Sequence, residues 1–196
     1  APAIVTRPAG PLRRPEAALT DGVVLLDELR GSDVDDLVTC CDDPEVARWL
    51  PLPSPYTEAD AMAFLAFARE SSETGGGLES AIRDATDGVY LGTIGLHFGR
   101  CRAGEAEIGY LVCPRGRGRG VARRAVRLLA GWALPTFGCR RIELLVHPDN
   151  VASRRAARGS GAAFEGIRRN GLALRAGRVS DAAVYALTSS DVPARR

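Results

Sequence analysis

The residues best placed to do chemistry lie in one run, from Glu105 to Trp132. Six arginines (Arg115, Arg117, Arg119, Arg123, Arg124, Arg127) fall within it, and no acidic residue occurs between Ile108 and Ile142. Gly116, Gly118 and Gly120 alternate, which frees the backbone to approach a ligand and to expose its N–H groups. From Val121, apolar residues recur at Ala125, Leu128, Leu129 and Trp132, the spacing of a helix. Residues 105–113, rich in β-branched and aromatic side chains, read as a strand. The first amides of a helix lack intrahelical acceptors, and the helix dipole makes that end electropositive. A strand, a glycine turn and a helix start with this charge make a place for a phosphate. The chain has no lysine, which excludes a Walker A loop, and the alternating glycines fail the dinucleotide fingerprint. Taken singly, each arginine reads more readily as part of a solvated helix face; it is the loop as a unit that points to a phosphate.

Beyond the loop, a set of polar residues is spaced for acid–base work. Period-two alternation puts Glu105 and Glu107 on one strand face with Gly109, Leu111 and Cys113. Of the chain's two histidines, His97 titrates in a useful range, and His147 ends the strand over 140–147. Asn150 and Ser153 follow the next strand. Ser153 is also a good N-cap for a short helix over 153–160, and Asn150 fits a turn after Pro148-Asp149.

The segment from Arg115 through Gly118 and Gly120 resembles the Arg/Gln-x-x-Gly-x-Gly/Ala acyl-CoA loop of the GNAT superfamily of N-acetyltransferases. The surrounding order extends the likeness. Glu107-Ile-Gly-Tyr110 comes before the loop, and Asn150-x-x-Ser153, Gly161, Glu165-Gly166, Asp181 and Tyr185 come after it. This is similar to the ribosomal-protein (RimJ/RimL-like) branch, over roughly residues 20 to 190. The resemblance implies acyl-CoA, most simply acetyl-CoA, held by Leu111, Val112, Cys113, Arg115, Gly116, Arg117, Gly118, Arg119, Gly120, Val121, Asn150 and Ser153. It implies direct transfer to a primary amine, a protein N-terminus or a small molecule. A backbone N–H near Val112 or Cys113 would polarise the acyl carbonyl. Ser153 would protonate the leaving thiolate, because the tyrosine that many relatives carry farther along that helix has no counterpart here. Glu107 would be the general base, with Glu105, His97 and His147 in reserve. For each of these a bracing role in the sheet competes. The branch's usual glutamate has no equivalent at Phe98-Gly-Arg100. Asp181 and Tyr185 read as structural, and Phe164 as filling the volume left by Ala162.

The elements that position these residues follow from pattern and punctuation. Strands are expected at 22–27, 78–84, 89–98, 105–113, 140–147, 162–168 and 179–187. Helices are expected over 33–41 with Ser32 as cap, from Asp43-Pro44 to Leu50, over 58–73 capped by Thr57, and from Val121 to a stop at Gly138. Asp87-Gly88 reads as a hairpin turn. The order describes an α/β protein: a mixed, mostly antiparallel sheet with helices on both faces. The crossover between strands 105–113 and 140–147 makes them a parallel pair, which the family likeness expects to splay. Residues 21–190 form one domain, with a proline-rich arm over 1–20 and a tail over 191–196.

Composition bounds the rest. A length of 196 residues, 45% apolar, suits a single packed domain, and a net charge of +2 argues against bulk nucleic-acid binding. Neither a signal peptide nor a membrane span is apparent, which reads as a cytoplasmic protein. The five cysteines (Cys40, Cys41, Cys101, Cys113, Cys139) lack metal spacing and are expected as free thiols, with no metal bound. A homodimer is compatible with the sequence. Two rival readings are a non-catalytic acyl-CoA-binding domain of the same fold and an arginine-rich nucleic-acid module. The latter lacks aromatic interleaving.

Overall fold

Alternation along the strands sorts the side chains into two cores. Leu26, Ile82, Ile94, Leu96, Ile108, Ile142 and Leu144 join Val121, Ala125, Leu129 and Ala133 on one side. Ala81, Tyr90, Leu111 and Cys113 join Leu37, Cys40, Cys41, Tyr56 and Ala61 on the other. The computed structural model describes Pro8, residues 10–98 and residues 103–192. Its elements in chain order are β1 (Leu19–Thr20), β2 (Val24–Glu28), α1 (Val34–Cys41), α2 (Pro44–Trp49), α3 (Glu58–Glu73), β3 (Gly77–Asp84) and β4 (Tyr90–His97). They continue with β5 (Glu105–Val112), α4 (Val121–Thr136), β6 (Arg141–Val146), α5 (Val151–Gly159), β7 (Ala163–Ala173) and β8 (Val179–Leu187). Helices α1 and α3 cover one face of the sheet, α4 and α5 the other.

The sheet order is β1-β2-β3-β4-β5-β6-β8-β7. Every neighbouring pair is antiparallel except β5 and β6, which α4 joins as a parallel crossover. That parallel pairing is short. It covers Glu105–Glu107 against Arg141–Glu143, after which the strands part. A register slip at Ile82/Arg83 makes Leu91 an extra residue in β4, beside the point where β5 ends. Gly92 sits there at φ 153°, and a Cβ on it would lie 2.2 Å from the Leu111 carbonyl oxygen, so the bulge requires glycine.

Several local expectations change. The 3-10 turn Gly31–Asp33 precedes α1, so Ser32 does not cap it. Asp33 is instead buried and paired through both oxygens with Arg83, at 3.0 and 2.9 Å. Breaking such a pair costs ~3–5 kcal/mol, which fixes α1 against β3. Helix α5 starts at Val151 with Asn150 as its cap, whose side chain accepts the Ser153 N–H at 3.0 Å. Ser153 is therefore not a capping residue. The expected arm over 1–20 is, in its described part, packed on the domain. Leu12 is buried, Arg14 donates to the Glu79 carbonyl, and Leu19 and Thr20 form β1. Phe164 fills no core volume; it lies 45% exposed with its ring 5.3 Å from that of Tyr185.

The cysteines also differ from expectation. Cys40 of α1 and Cys113, just after β5, form a disulfide with Cα atoms 4.9 Å apart, while Cys41 and Cys139 are buried free thiols. Their separation of 73 positions in the chain hid this from the sequence, because only the packing of α1 under the end of β5 brings them together. Gly99, Arg100, Cys101 and the last four residues of the tail lie outside the described residues. Among the described residues no helix is long and apolar enough to cross a membrane, and no cluster of His, Cys, Asp and Glu could hold a metal ion.

Candidate active site

The loop after β5 is built to present amides. Pro114–Gly116 forms a 3-10 turn in which the Gly116 N–H donates to the Cys113 carbonyl at 2.8 Å. Gly116 is buried, and a Cβ there would meet Val112 Cγ1 at 2.9 Å. Gly118 and Gly120 both adopt left-handed φ, at 74° and 73°, and nothing lies within 4 Å of a Cβ built on Gly118. Gly120 is the N-cap of α4, and the first N–H that bonds back to it is that of Arg124, at 3.2 Å. The N–H groups of Gly118, Arg119, Gly120, Val121 and Ala122 have no acceptor among the described residues. They form a concavity of donors at the positive end of a helix.

Most of the loop arginines are held in ion pairs. Arg115 pairs with Asp36 of α1. Arg117, Arg119 and Arg124 pair with Asp43, Asp84 and Asp21, at 2.5, 2.6 and 2.6 Å. The Arg117 hydrogen bond holds the Asp43 carboxyl below its ordinary range. Four of the six loop arginines are thus already neutralised. Arg123 and Arg127 have no carboxylate partner among the described residues, and Arg123 extends between Gly120 and Gly159, toward α5.

Past Glu107, β5 is paired only on its β4 side. The Cys113 N–H donates to the Leu91 carbonyl at 2.9 Å, so it is not available to polarise an acyl carbonyl. Alternation then turns the N–H groups of Val112 and Tyr110 the other way, into the gap between β5 and β6. Of the two amides expected for that task, Val112 alone has the right orientation. Arg117 Nε reaches the Val112 carbonyl at the mouth of the gap, at 3.3 Å.

Tyr110 crosses the gap from β5 to α5. Its hydroxyl lies 2.7 Å from Ser153 Oγ and 3.2 Å from the Ser153 carbonyl. Burial pushes the Tyr110 hydroxyl up to about 12, against the lowering effect of the Ser153 hydrogen bond, so it stays protonated at neutral pH. A serine hydroxyl backed by a protonated phenol is a donor with its own proton supply. Sequence reasoning had Tyr110 only as part of a motif and looked for a tyrosine on the helix; it comes from the strand. Asn150 is occupied in capping α5. Arg154 Nε donates to the Tyr185 hydroxyl at 3.2 Å, and Asp181 accepts the Asn170 N–H at 2.9 Å, both structural contacts.

On the opposite face of β5 lies a carboxylate-rich floor. Glu107 stands directly opposite His97 of β4 and Glu143 of β6. His97 Nε2 lies 3.4 Å from Glu79 Oε1 of β3. Glu79 is 5% exposed, and burial pushes its carboxyl up to about 7 despite the nearby charge of Arg14. Glu79 carried no signal in the sequence. Glu105 is held by Arg140 at 3.7 Å near the strand start. His147, at the far end of β6, has its ring 5.0 Å from Trp49, and its Nδ1 accepts the Asp149 N–H. It sits at the rim, away from Glu107.

The arrangement defines an acyl-transfer site of one kind: a helix-start cradle for a phosphate-bearing donor beside a gap between splayed parallel strands, with a proton donor on one side and carboxylates on the other. A family profile described as an acetyltransferase (GNAT) domain matches residues 24–163, and the chain belongs to that family. It is an acyl-CoA-dependent N-acetyltransferase, which moves an acyl group from the CoA thioester to a primary amine. Among its relatives is an N-acetyltransferase of Bacillus subtilis, YoaA, 27% identical over 150 residues that cover 74% of this chain and 82% of that one. The fold is shared with Mycobacterium smegmatis RimJ, solved in complex with CoA-disulfide, at a TM-score of 0.75 and 24% identity, covering 88% of this chain and 85% of that one. It is shared too with the ribosomal-protein-S5-alanine acetyltransferase of Vibrio fischeri, at 0.73 and 19%, covering 91% and 100%.

Proposed function

We propose that this enzyme uses acetyl-CoA to acetylate the N-terminal amine of a protein, as a member of the RimJ/RimL-like branch working in the cytoplasm, where ribosomal-protein acceptors are made. The observation that carries the donor half is the row of unpartnered amides from Gly118 to Ala122. The pyrophosphate of CoA binds there, with Arg123 closing over it. Leu111, Val112 and Cys113 border the pantetheine arm, and the Val112 N–H polarises the thioester carbonyl. The ion pairs of Arg115, Arg117 and Arg119 shape the loop. Asn150 contributes by fixing Ser153 at the start of α5.

Transfer needs a neutral amine, and the amine arrives largely as ammonium. Glu107 accepts its proton through water, and the nitrogen lone pair attacks the carbonyl. As the C–S bond breaks, Ser153 gives its proton to the sulfur and is reprotonated from Tyr110. The pairing of most loop arginines with aspartates supports this over nucleic-acid binding, since little free positive surface remains.

A panel of peptides with free N-termini and of small amines, each incubated with acetyl-CoA and followed by thiol release, tests the reading. Release with N-terminal peptides ahead of lysine side chains or small amines is the expected result. CoA binding without release for any acceptor would leave a binding domain instead.

A further inference from the structure

Glu79 is a buried carboxylate with nothing to do in the scheme so far. Its side chain lies flat over Gly95, where a Cβ would meet its oxygens at 2.4 and 2.5 Å. Gly95 pairs with Gly109 across β4 and β5, so two glycines clear a hollow at the vertex of the splayed strands. His97 fills part of that hollow. Its Nε2 is 3.4 Å from Glu79 Oε1 and 3.7 Å from a Cβ built on Gly109. The imidazole is about a third exposed, at 35%, while the Glu79 side chain is 7% exposed. Directly opposite His97 stands Glu107. The three side chains therefore run from the open cleft inward in the order Glu107, His97, Glu79.

We propose that His97 and Glu79 are a proton-holding pair behind Glu107. The inference rests on the acyltransferase reading above and deepens it. The ammonium N–H bond breaks and its proton passes through water to Glu107. It moves on to His97, whose charge Glu79 balances, and Glu107 is left ionised for the proton that the amine nitrogen loses after attack. In each turnover the nitrogen gives two protons to Glu107 and His97, both of which return to solvent, while Tyr110 takes one proton back from solvent in place of the one that Ser153 passed to sulfur, so that one proton is released net and charge and atoms balance. Glu79 is a positioning residue here, since it acts through His97.

Among the described residues, the groups around the pair include Glu107 on β5, Glu143 on β6 with its partners Arg141 and Arg168, and Arg14, which donates to the Glu79 carbonyl and to Ser80 at 2.7 and 3.2 Å. Asp27 and Arg83, 3.5 Å apart, and Asp33 lie farther along the same face. Ser71 of α3 lies near Gly77, within 3.3 Å of a Cβ built there. From α1 and its surroundings come Cys41, Tyr56 and Tyr90, each pushed up by burial and neutral at working pH. Cys40 is tied up in its disulfide.

The chain's two histidines make the test direct. The imidazole protons of His97 are followed by NMR across pH, with His147→Gln to assign them, in wild type and in Glu79→Gln. Because Glu79 is only partly ionised near neutral pH, the expected result is a fall in the His97 midpoint of up to about one pH unit when its partner is removed. The acidic limb of kcat/KM, measured with acetyl-CoA and the best peptide of the panel, should move to lower pH with it. His97→Gln should lower kcat/KM at neutral pH by roughly tenfold or more at unchanged CoA affinity. Thermal unfolding of both variants checks the fold. A limb that stays put in both folded variants while Glu107→Gln still flattens it overturns the pair and leaves the acyltransferase reading standing. Absence of turnover with every acceptor, in wild type that binds CoA, removes that reading and the pair together.

Discussion

The two faces of β5 are assembled in opposite ways. On the α4 side, one contiguous stretch supplies the proposed donor cradle: the end of a strand, three alternating glycines and the first turn of a helix. On the α1–α3 side, the floor of the cleft collects Glu79 from β3, His97 from β4, Glu107 from β5 and Glu143 from β6. Trp49 of α2 meets His147 at its rim. The donor face uses backbone groups, whose geometry the local sequence fixes. The acceptor face uses side chains, whose meeting depends on sheet register. A phosphate is the same in every acyl-CoA and suits a fixed cradle, whereas acceptors differ and suit positions that vary independently.

The largest effect that would break this contrast is on the donor side. Gly118→Asp adds bulk and negative charge to the amide row and should weaken CoA binding about 1,000-fold, roughly 4 kcal/mol. Isothermal titration beside an unfolding curve measures it, and unchanged affinity in folded protein would remove the cradle. Next is the bond joining the two faces. Cys113→Ser, or reductant on wild type, should lower stability by ~2–4 kcal/mol, read by denaturant unfolding; equal stability with and without reductant would mean that packing alone holds α1 to the loop.

Ser153→Ala should lower kcat by roughly 100-fold with little change in KM for acetyl-CoA. Tyr110→Phe should fall on the same line, and the double variant should cost no more than the worse single one. A Ser153→Ala rate equal to wild type would make the hydroxyl pair structural.

The smallest effect concerns Glu79. Its folded carboxyl titrates at about 7 against an ordinary 4.5. A raised folded value means that its contribution to stability is complete below the ordinary value and is lost as pH rises through the folded one. Glu79→Gln should then match wild type at acid pH and gain on it by about 1 kcal/mol per pH unit crossed within that window. A difference that does not grow with pH would place Glu79 in a more polar setting than its burial implies.

The same contrast explains what could be read in the sequence. The strand, loop and helix around Arg115–Gly120 were legible because glycine conformation and helix-start chemistry are local. So were the Thr57 cap and the 58–73 helix, which the structure reproduces with a reciprocal Thr57–Asp60 capping box. The ion pairs of the arginines were illegible, because their carboxylate partners lie between 35 and 103 residues away. Cys40 and Cys113 were hidden for the same reason. Ser153 was assigned a cap one turn too late, since Asn150 and Ser153 are both good capping types and only backbone angles choose between them. Glu79 was illegible because its significance comes from the missing side chain of Gly95, one strand over.

Asp36 and Asp43, which hold Arg115 and Arg117, also lie at the starts of α1 and α2. An arriving anion competes with these carboxylates for the same guanidinium groups. Each arginine that turns toward it releases an aspartate on the far side of the cleft, and Asp43 caps α2 through the N–H groups of Glu45 and Val46. The two substrates are thereby thermodynamically linked. Whatever factor the donor changes in acceptor affinity through these pairs, the acceptor must return in donor affinity.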